Sequence, residues 1–243
     1  MKVLQILPQL NIGGVERGTL DLSKALIHKG HQSFVISGGG VLVDELTQCG
    51  AKHYEIPVHI KSLRTLSLAK RLSETISSID PDIVHVRSRM PAWVNYRAFK
   101  MLQKKPLLVS TFHGLYSFPI YSKVMSFVDH SIAISKTVER YILENYKLDK
   151  GDITVIPRGC DPLEFNNEVI NPVDKANIIE EFPQIVGKKV LTIPGRITKW
   201  KGVAEFIDLL SLLDDNYHGL VVGPTAKSKN CLLYTSDAAD DMQ

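Results

Sequence analysis

The feature that most constrains this chain is a regular alternation of short apolar stretches with longer amphipathic ones. Stretches of strand length occur at 3–7, 33–37, 82–86, 107–111, 130–134, 152–156, 189–193 and 219–222. Between them, apolar residues recur at helical spacing, as in 15–29 before Gly30 and in 63–79 before Asp80-Pro81. This alternation predicts an α/β fold in which helices cover a parallel sheet.

The domain organisation follows from where the pattern is interrupted. A chain of 243 residues has room for one or two domains. We predict a first Rossmann-like domain over 1–157, a connection rich in polar residues and proline with one short helix over 158–187, and the start of a second, incomplete Rossmann-like domain over 188–230.

The last segment, 231–243, reads CLLYTSDAADDMQ and breaks with the composition before it. Written back into codons, it resembles a transposase adapter used in preparing sequencing libraries. We therefore expect it to be a sequencing artefact and the true protein to continue differently after about residue 230, so that this chain is a fragment.

Composition excludes several classes of protein. Hydrophobic residues make up 44% and charged residues 23%, as in ordinary globular chains, and no apolar run is long enough to span a bilayer. Three widely separated cysteines indicate neither a disulfide framework nor a zinc site. We expect a cytoplasmic protein without a bound metal.

Charge is divided unevenly along the chain. Residues 1–150 hold 20 Lys and Arg against 12 Asp and Glu, whereas 151–243 hold 9 against 14. The basic first part favours an anionic partner, such as phosphate, an anionic membrane or nucleic acid.

The first strand leads into a glycine-rich turn and then a helix, LPQLNIGGVERGTLDL. Such turns lie at the carboxyl ends of parallel strands, where Gly13 and Gly14 would let a phosphate or sugar approach the helix N-terminus. The dinucleotide fingerprint fails, because Val15 stands where it needs glycine and 38–40 are glycines where it needs a carboxylate. The alternative is a tight turn with only a structural role, in which the Glu16 carboxylate stabilises the N-terminus of the helix.

Three further segments place cations or histidines just after strands. HVRSRMPAW carries Arg87 and Arg89, which suit phosphate or carboxylate, or else lie in a solvated loop. TFHG carries His113, a ligand contact or a structural histidine, and PGRITKWKG carries Arg196 and Lys201, a diphosphate clamp or a basic loop. His85, near the end of the strand that precedes Arg87, is either a hydrogen-bonded core residue or a site residue.

Together, GGVERG, HVRSRMPAW, TFHG, AIS, VIPRGCD and PGRITKWKG occur in an order that resembles the family-4 (group 1) retaining glycosyltransferases of GT-B fold, over residues 1–223. The likeness is greatest to the bacterial branch that builds lipopolysaccharide core and related envelope glycans. It implies transfer of a sugar from a nucleotide-sugar donor to an envelope glycan or lipid-linked acceptor, with an N-terminal acceptor domain, a C-terminal donor domain and no metal.

The resemblance also implies roles for single residues. Arg196 and Lys201 would neutralise the leaving diphosphate, and Gly13 and Gly14 would let the turn approach the donor phosphate and the acceptor. His113 would touch the transferred sugar and is counted, with Arg196 and Lys201, among the predicted catalytic residues. A second set of three, Glu16, Arg87 and Arg89, is expected to contact the acceptor.

Two departures from the family bear on activity. The family's pair of glutamates seven residues apart is absent from this sequence, so we expect the fragment to be inactive. Arg158 stands where the family often has asparagine, which leaves its role open.

A basic amphipathic stretch suggests a membrane partner. Lys61, Arg64, Lys70 and Arg71 lie on or near one predicted helix, which is either a peripheral contact with the anionic inner face of the cytoplasmic membrane or an ordinary solvated face.

Two other functions stay open. A nucleotide-sugar 2-epimerase would share the predicted architecture. A non-enzymatic module that binds anions or nucleic acid would share the basic charge, although no nucleic-acid motif occurs and nucleic acid is not an expected partner.

Overall fold

The computed structural model describes residues 1–60, 63–116, 119–160, 162, 171–195, 197 and 201–223. The chain forms two compact units, unit 1 over Met1–Gly159 and unit 2 from Cys160 onward. Each unit is described separately below.

Unit 1 is built on a parallel sheet. Its strands are β1 (Lys2–Ile6), β2 (Gln32–Ser37), β3 (Lys52–Glu55), β4 (Ile83–Val86), β5 (Leu107–Phe112), β6 (His130–Ala133) and β7 (Ile153–Val155). Among the described residues they lie in the order β3-β2-β1-β4-β5-β6-β7, and every neighbouring pair is parallel. The predicted α/β fold with a parallel sheet is confirmed.

Helices connect these strands. They are α1 (Gly14–His28), α2 (Val43–Gln48), α3 (Ala69–Ile79), α4 (Arg89–Phe99), the single turn α5 (Pro119–Ser122) and α6 (Lys136–Asn145), with short 3₁₀ segments at Leu63–Leu68, Lys123–Ser126 and Lys150–Asp152. Helix α1 ends, as predicted, next to Gly30, whose φ of 74° suits glycine. None of the described helices is long and apolar enough to cross a membrane.

The central strand β1 shows why most strands of this sheet have largely apolar sequences. Leu4 of β1 lies beside Phe34 of β2 on one side and Val84 of β4 on the other, and its side chain has no exposed surface. Helices cover both faces of such a sheet, so strand residues are buried whichever way they point. This burial holds the carboxyl ends of β1 and β4 in place.

The predicted helix over 63–79 is wrong in its first part. Leu63–Leu68 is a 3₁₀ segment, and the α-helix begins only at Ala69. Thr65 Oγ1 donates to the carbonyl of Ile60 at 2.7 Å, a local bond that competes with regular helix. Helix α2 and strand β3 were not predicted. The edge strand β3 has the sequence KHYE, which contains no apolar run.

Unit 2 contains α7 (Pro172–Glu181), a 3₁₀ turn at Pro183–Ile185, β8 (Lys189–Pro194), α8 (Val203–Ser211) and β9 (Tyr217–Val222). Strands β8 and β9 pair in parallel. Several apolar side chains of this unit remain exposed, among them Ile207, Leu212 and Val222. The sequence tail 231–243 lies outside the described residues.

Candidate functional site

The candidate site lies where the strand order of unit 1 reverses direction. From β1 the chain adds β2 and β3 on one side, whereas β4 to β7 extend the sheet on the other. In open parallel sheets, a crevice forms at this switch point, outside the carboxyl ends of the strands. The turn after β1 and the residues after β4 flank that crevice.

The turn after β1 brings the N-terminus of a long helix to the crevice. Gly13 is the N-cap of α1 and has extended backbone, with φ of 174°. A Cβ at Gly13 would meet the carboxylate of Glu16, so this side chain lies back over the turn. A carboxylate there interacts favourably with the positive end of the helix dipole.

Arg87, directly after β4, is a buried cation. Its side chain is 6% exposed, and its Nη1 donates to Gln5 Oε1 at 2.9 Å. Its Nε is buried without a hydrogen-bond partner, and no carboxylate forms an ion pair with it among the described residues. Burial and the charge of Arg158 lower the pKa of Arg87 to about 10, so it keeps its charge at neutral pH.

Gln5 orients that arginine from inside the sheet. Its amide Nε2 donates to the carbonyl of Thr19 at 3.1 Å and to Ser23 Oγ at 3.0 Å, both on α1. Because both amide hydrogens are used, Oε1 is the atom left to accept from Arg87. The buried Gln5 therefore links the strand, the helix and the guanidinium.

His113 lies after β5 and contacts an arginine from a distant part of unit 1. Arg158, in the segment after β7, donates from Nη2 to His113 Nδ1 at 2.8 Å and from Nη1 to the carbonyl of Gly14. His113 Nε2 is buried and finds no partner among the described residues. Burial, Arg87 and Arg158 together lower the pKa of His113 to about 3.

His85 fits the reading as a hydrogen-bonded core residue. It is 5% exposed, and its Nε2 pairs with Thr111 Oγ1 at 2.7 Å. Burial and then the charge of Arg87 hold the pKa of His85 well below its usual value, so the ring is neutral.

These groups surround one pocket of about 420 Å³. Gly14 and Gly18 of α1 line this pocket together with His85, Arg87, His113 and Arg158. A Cβ at Gly18 would approach Arg87 Nη2 to 3.2 Å, so only a small residue leaves room for the arginine there. The pocket offers hydrogen-bond donors and positive charge to a small anionic or hydroxyl-rich ligand.

Arg89, the first residue of α4, is held away from this pocket. Its guanidinium lies 4.9 Å from the ring centre of Tyr116 and 5.4 Å from that of Tyr121, and Nη1 donates to Ser122 Oγ at 3.4 Å. Arg87 and Arg89 were both expected to contact the acceptor, and in the structure they have different neighbours. An acceptor contact from Arg89 stays a prediction.

The predicted diphosphate residues belong to unit 2. Arg196 lies outside the described residues. Lys201 precedes α8, and its aliphatic chain runs beside Gly195, where an added Cβ would meet Lys201 Cδ and Cε at 3.6 Å. Their joint role on a diphosphate remains a prediction.

The basic residues near α3 have different environments. Lys61 lies outside the described residues, and the side chain of Arg64 is likewise not described. Arg71 is exposed and donates from Nη2 to the carbonyl of Glu55 at 3.1 Å. Lys70 is exposed at a surface pocket that Trp93, Tyr96, Arg97 and Lys100 also line.

Sequence reasoning missed two members of the site. Gln5 could have been found, since it is the polar residue inside the apolar run VLQIL. The contact from Arg158 to His113 joins residues 45 positions apart and depends on β7 lying two strands from β5. No local pattern carries that information.

Comparison with known proteins shows the family. The Glycosyltransferase Family 4 domain matches residues 12–163. The chain belongs to that family. It is 31% identical over 175 residues to an uncharacterized glycosyltransferase of Methanocaldococcus jannaschii, an alignment that covers 63% of this chain and 43% of that protein.

Solved structures share the architecture. A glycosyltransferase from Rickettsia africae matches with a TM-score of 0.79 and 35% identity, over 94% of this chain and 62% of that chain. The Anabaena HepE protein, solved with UDP and glucose, matches with a TM-score of 0.78 over 99% of this chain and 65% of its own, but at 17% identity that likeness shows the fold alone. A UDP-N-acetylglucosamine 2-epimerase from Rickettsia bellii also shares the fold, with a TM-score of 0.59 at 15% identity, over 100% of this chain and 65% of its own. The family-4 chain thus spans under two thirds of the length of these relatives.

Proposed function

We propose that this chain is part of a retaining glycosyltransferase that moves a sugar from a nucleotide-sugar donor to an envelope glycan or lipid-linked acceptor at the cytoplasmic face of a membrane. The carrying observation is the pocket at the switch point, where a buried arginine without a carboxylate partner meets His113 and the glycine turn of α1. Family membership supplies the reaction class.

The state of Arg87 argues for an anionic substrate group. A buried charge is costly unless it is paired, and Gln5 supplies only a neutral partner. Glu16 and Asp21 act on Arg87 electrostatically without a direct ion pair, so a phosphate or carboxylate on the acceptor would add a charged partner that accepts from Nε. In this proposal, Glu16 in the first turn of α1 interacts with acceptor hydroxyl groups.

Departure of the nucleoside diphosphate creates negative charge that the protein has to stabilise. Fixed cations close to a developing charge are among the strongest contributions to catalysis. In this proposal, Arg196 and Lys201 are the fixed cations. Gly13 and Gly14, in the turn of unit 1, approach the donor. No metal takes part. HepE, which shares the fold, has been solved with the nucleotide sugar UDP-glucose, and this supports a donor of that class here.

The test uses the protein from the complete reading frame. It is incubated with UDP-, GDP- and ADP-sugars and a phosphorylated or lipid-linked glycan, and the anomeric configuration of the product is read from proton couplings. We expect transfer with retention. Arg87→Met should reduce kcat/KM at least tenfold, whereas the exposed Arg140→Met should leave it within twofold.

Each rival function has its own outcome in that assay. Formation of a C2-epimeric nucleotide sugar without acceptor would replace transfer by epimerisation, which the shared fold permits. Absence of both reactions, with salt-dependent binding of short nucleic acids, would favour a binding module.

The lipid-linked acceptor implies a surface near the bilayer. Exposed Lys70 lies with Trp93, Tyr96 and Lys100 around a pocket of about 720 Å³, and Lys100 Nζ lies 4.3 Å from the ring centre of Tyr96. Aromatic and basic side chains together favour an anionic interface. Flotation should show binding to anionic vesicles that weakens with salt, and Lys70→Glu with Lys100→Glu should abolish it.

Lys136→Glu, an exposed change on α6, is the matched control and should still float. Equal binding to neutral vesicles would contradict a charge-driven membrane contact.

A further inference from the structure

Arg158 makes an unusual pair of contacts for an exposed side chain. Its Nη1 donates to the carbonyl of Gly14 at the start of α1, and its Nη2 donates to His113 Nδ1 at 2.8 Å. The guanidinium therefore bridges the glycine turn after β1 and the histidine after β5. Both partners line the same pocket.

The chemistry of a guanidinium decides which nitrogen of His113 carries the proton. Arginine offers only donors, so Nδ1 has to present its lone pair. A neutral imidazole carries a single ring proton, which is then on Nε2. Nε2 is buried without a partner among the described residues, so its N–H is available for an oxygen of a bound ligand.

We propose that Arg158 is a positioning residue that fixes His113 as the Nε2–H tautomer, so that His113 meets the substrate as a neutral hydrogen-bond donor and not as a base. The tautomer is independent of the proposed function. Its consequence for a sugar hydroxyl or phosphate oxygen rests on that function.

The groups around His113 support a neutral ring. Arg87 and Arg158 bring two cations toward it, and His85 is held neutral by its own burial. Tyr116 also lies close to His113, and burial raises the pKa of its hydroxyl group. Because burial is the first cause of the low pKa of His113, loss of Arg158 alone should change the tautomer more than the charge.

The test reads the tautomer directly. Long-range ¹H–¹⁵N correlations of the imidazole nitrogens are recorded on the chain between pH 5.5 and 7.5, with His113→Gln to assign the signals. In the parent we expect an unprotonated Nδ1 and a protonated Nε2 across this range. Arg158→Met should populate both tautomers and shift the Nδ1 signal, and Arg158→Lys should restore the parent pattern.

Two further variants separate this role from general effects. Gly14→Ala places a Cβ 2.7 Å from Arg158 Nη1 and should displace the arginine, reproducing the Arg158→Met spectrum. Arg140→Met removes an exposed positive charge on α6 and should reproduce the parent spectrum. A parent protonated on Nδ1, or an Arg158→Met spectrum equal to the parent's, would overturn the proposal.

Activity gives a second reading where the complete reading frame shows transfer. Loss of the tautomer should lower kcat about tenfold in Arg158→Met with KM changed less than twofold, and Arg158→Lys should recover most of the loss. Transfer without the Nε2–H tautomer would refute the role of Arg158 and leave the proposed function standing. The tautomer without any transfer would do the reverse.

Discussion

Units 1 and 2 begin with the same local arrangement and differ in what surrounds it. In each, an apolar strand is followed in sequence by glycines and then by a helix, β1 and α1 in unit 1 and β8 and α8 in unit 2. Strand β1 has neighbours on both sides and is almost wholly buried, whereas β8 pairs with β9 and none of its residues is fully buried. Local signals thus specify a strand and a helix, but burial comes from neighbouring strands.

The difference extends to the functional groups. In unit 1, Arg87 is held by Gln5 and enclosed by the sheet and α1, so its position is determined by packing. In unit 2, Lys201 is described, but residues 198–200 before it and its predicted partner Arg196 lie outside the described residues. The site in unit 1 can therefore be tested by stability as well as by activity.

The largest expected effect compares leucines of the two units. Leu4→Ala removes a fully buried side chain from β1 and should lower the free energy of unfolding of unit 1 by about 3 kcal/mol. Leu212→Ala, at a side chain 82% exposed, should change stability by less than about 0.5 kcal/mol. Hydrogen exchange of β1 and β8 amides measures both, and equal losses would contradict the contrast between the units.

The second effect concerns the buried link between β1, α1 and Arg87. Gln5→Leu leaves the guanidinium without its neutral partner and should destabilise unit 1 by about 2 kcal/mol. The double variant with Gln5→Leu and Arg87→Met should lose less free energy of unfolding than the two single variants together, because it no longer contains the buried charge.

Urea unfolding of the four proteins of this cycle gives the coupling. Gln32→Leu, at an exposed position of β2, is the control and should be near neutral. Strict additivity would show that Gln5 does not hold Arg87.

How much of this was predictable depends on the range of the interaction. The strands at 33–37 and 107–111 and the end of α1 were predicted to within a residue, because apolar runs and Gly30 are local signals. The burial of Arg87 was not predicted, because a cation with no carboxylate nearby in the sequence is expected to be exposed to solvent. Its enclosure depends on β4 lying beside β1, and strand order is not written in local patterns.

A third effect is a pH dependence within unit 1. The pKa of His85 is well below 6.5 and that of His113 is about 3 in the folded protein, so unfolding allows both rings to take up protons. The unfolded state then binds more protons, and stability falls as pH drops below 6.5. Between pH 6.5 and 5.5 each histidine should cost about 1 kcal/mol.

Exchange of β4 and β5 amides at the two pH values measures this loss. His85→Gln should remove about half of it, and an undiminished loss would assign the effect to other groups. Because Gln can still pair with Thr111, the substitution keeps a hydrogen bond in the core.

The smallest effect distinguishes the N-cap glycines of α1 and α8. Gly202, the N-cap of α8, has φ of 70°, a conformation that costs an alanine about 1 kcal/mol. Gly13, the N-cap of α1, is extended, and an alanine there would meet only the end of the flexible Glu16 side chain. Gly13→Ala should therefore cost about 0.5 kcal/mol, because alanine is a poorer N-cap residue than glycine. Amide exchange in α1 and α8 measures both variants, and if Gly13→Ala proved the more damaging, the Glu16 carboxylate would have to be fixed over the turn and not free to move aside.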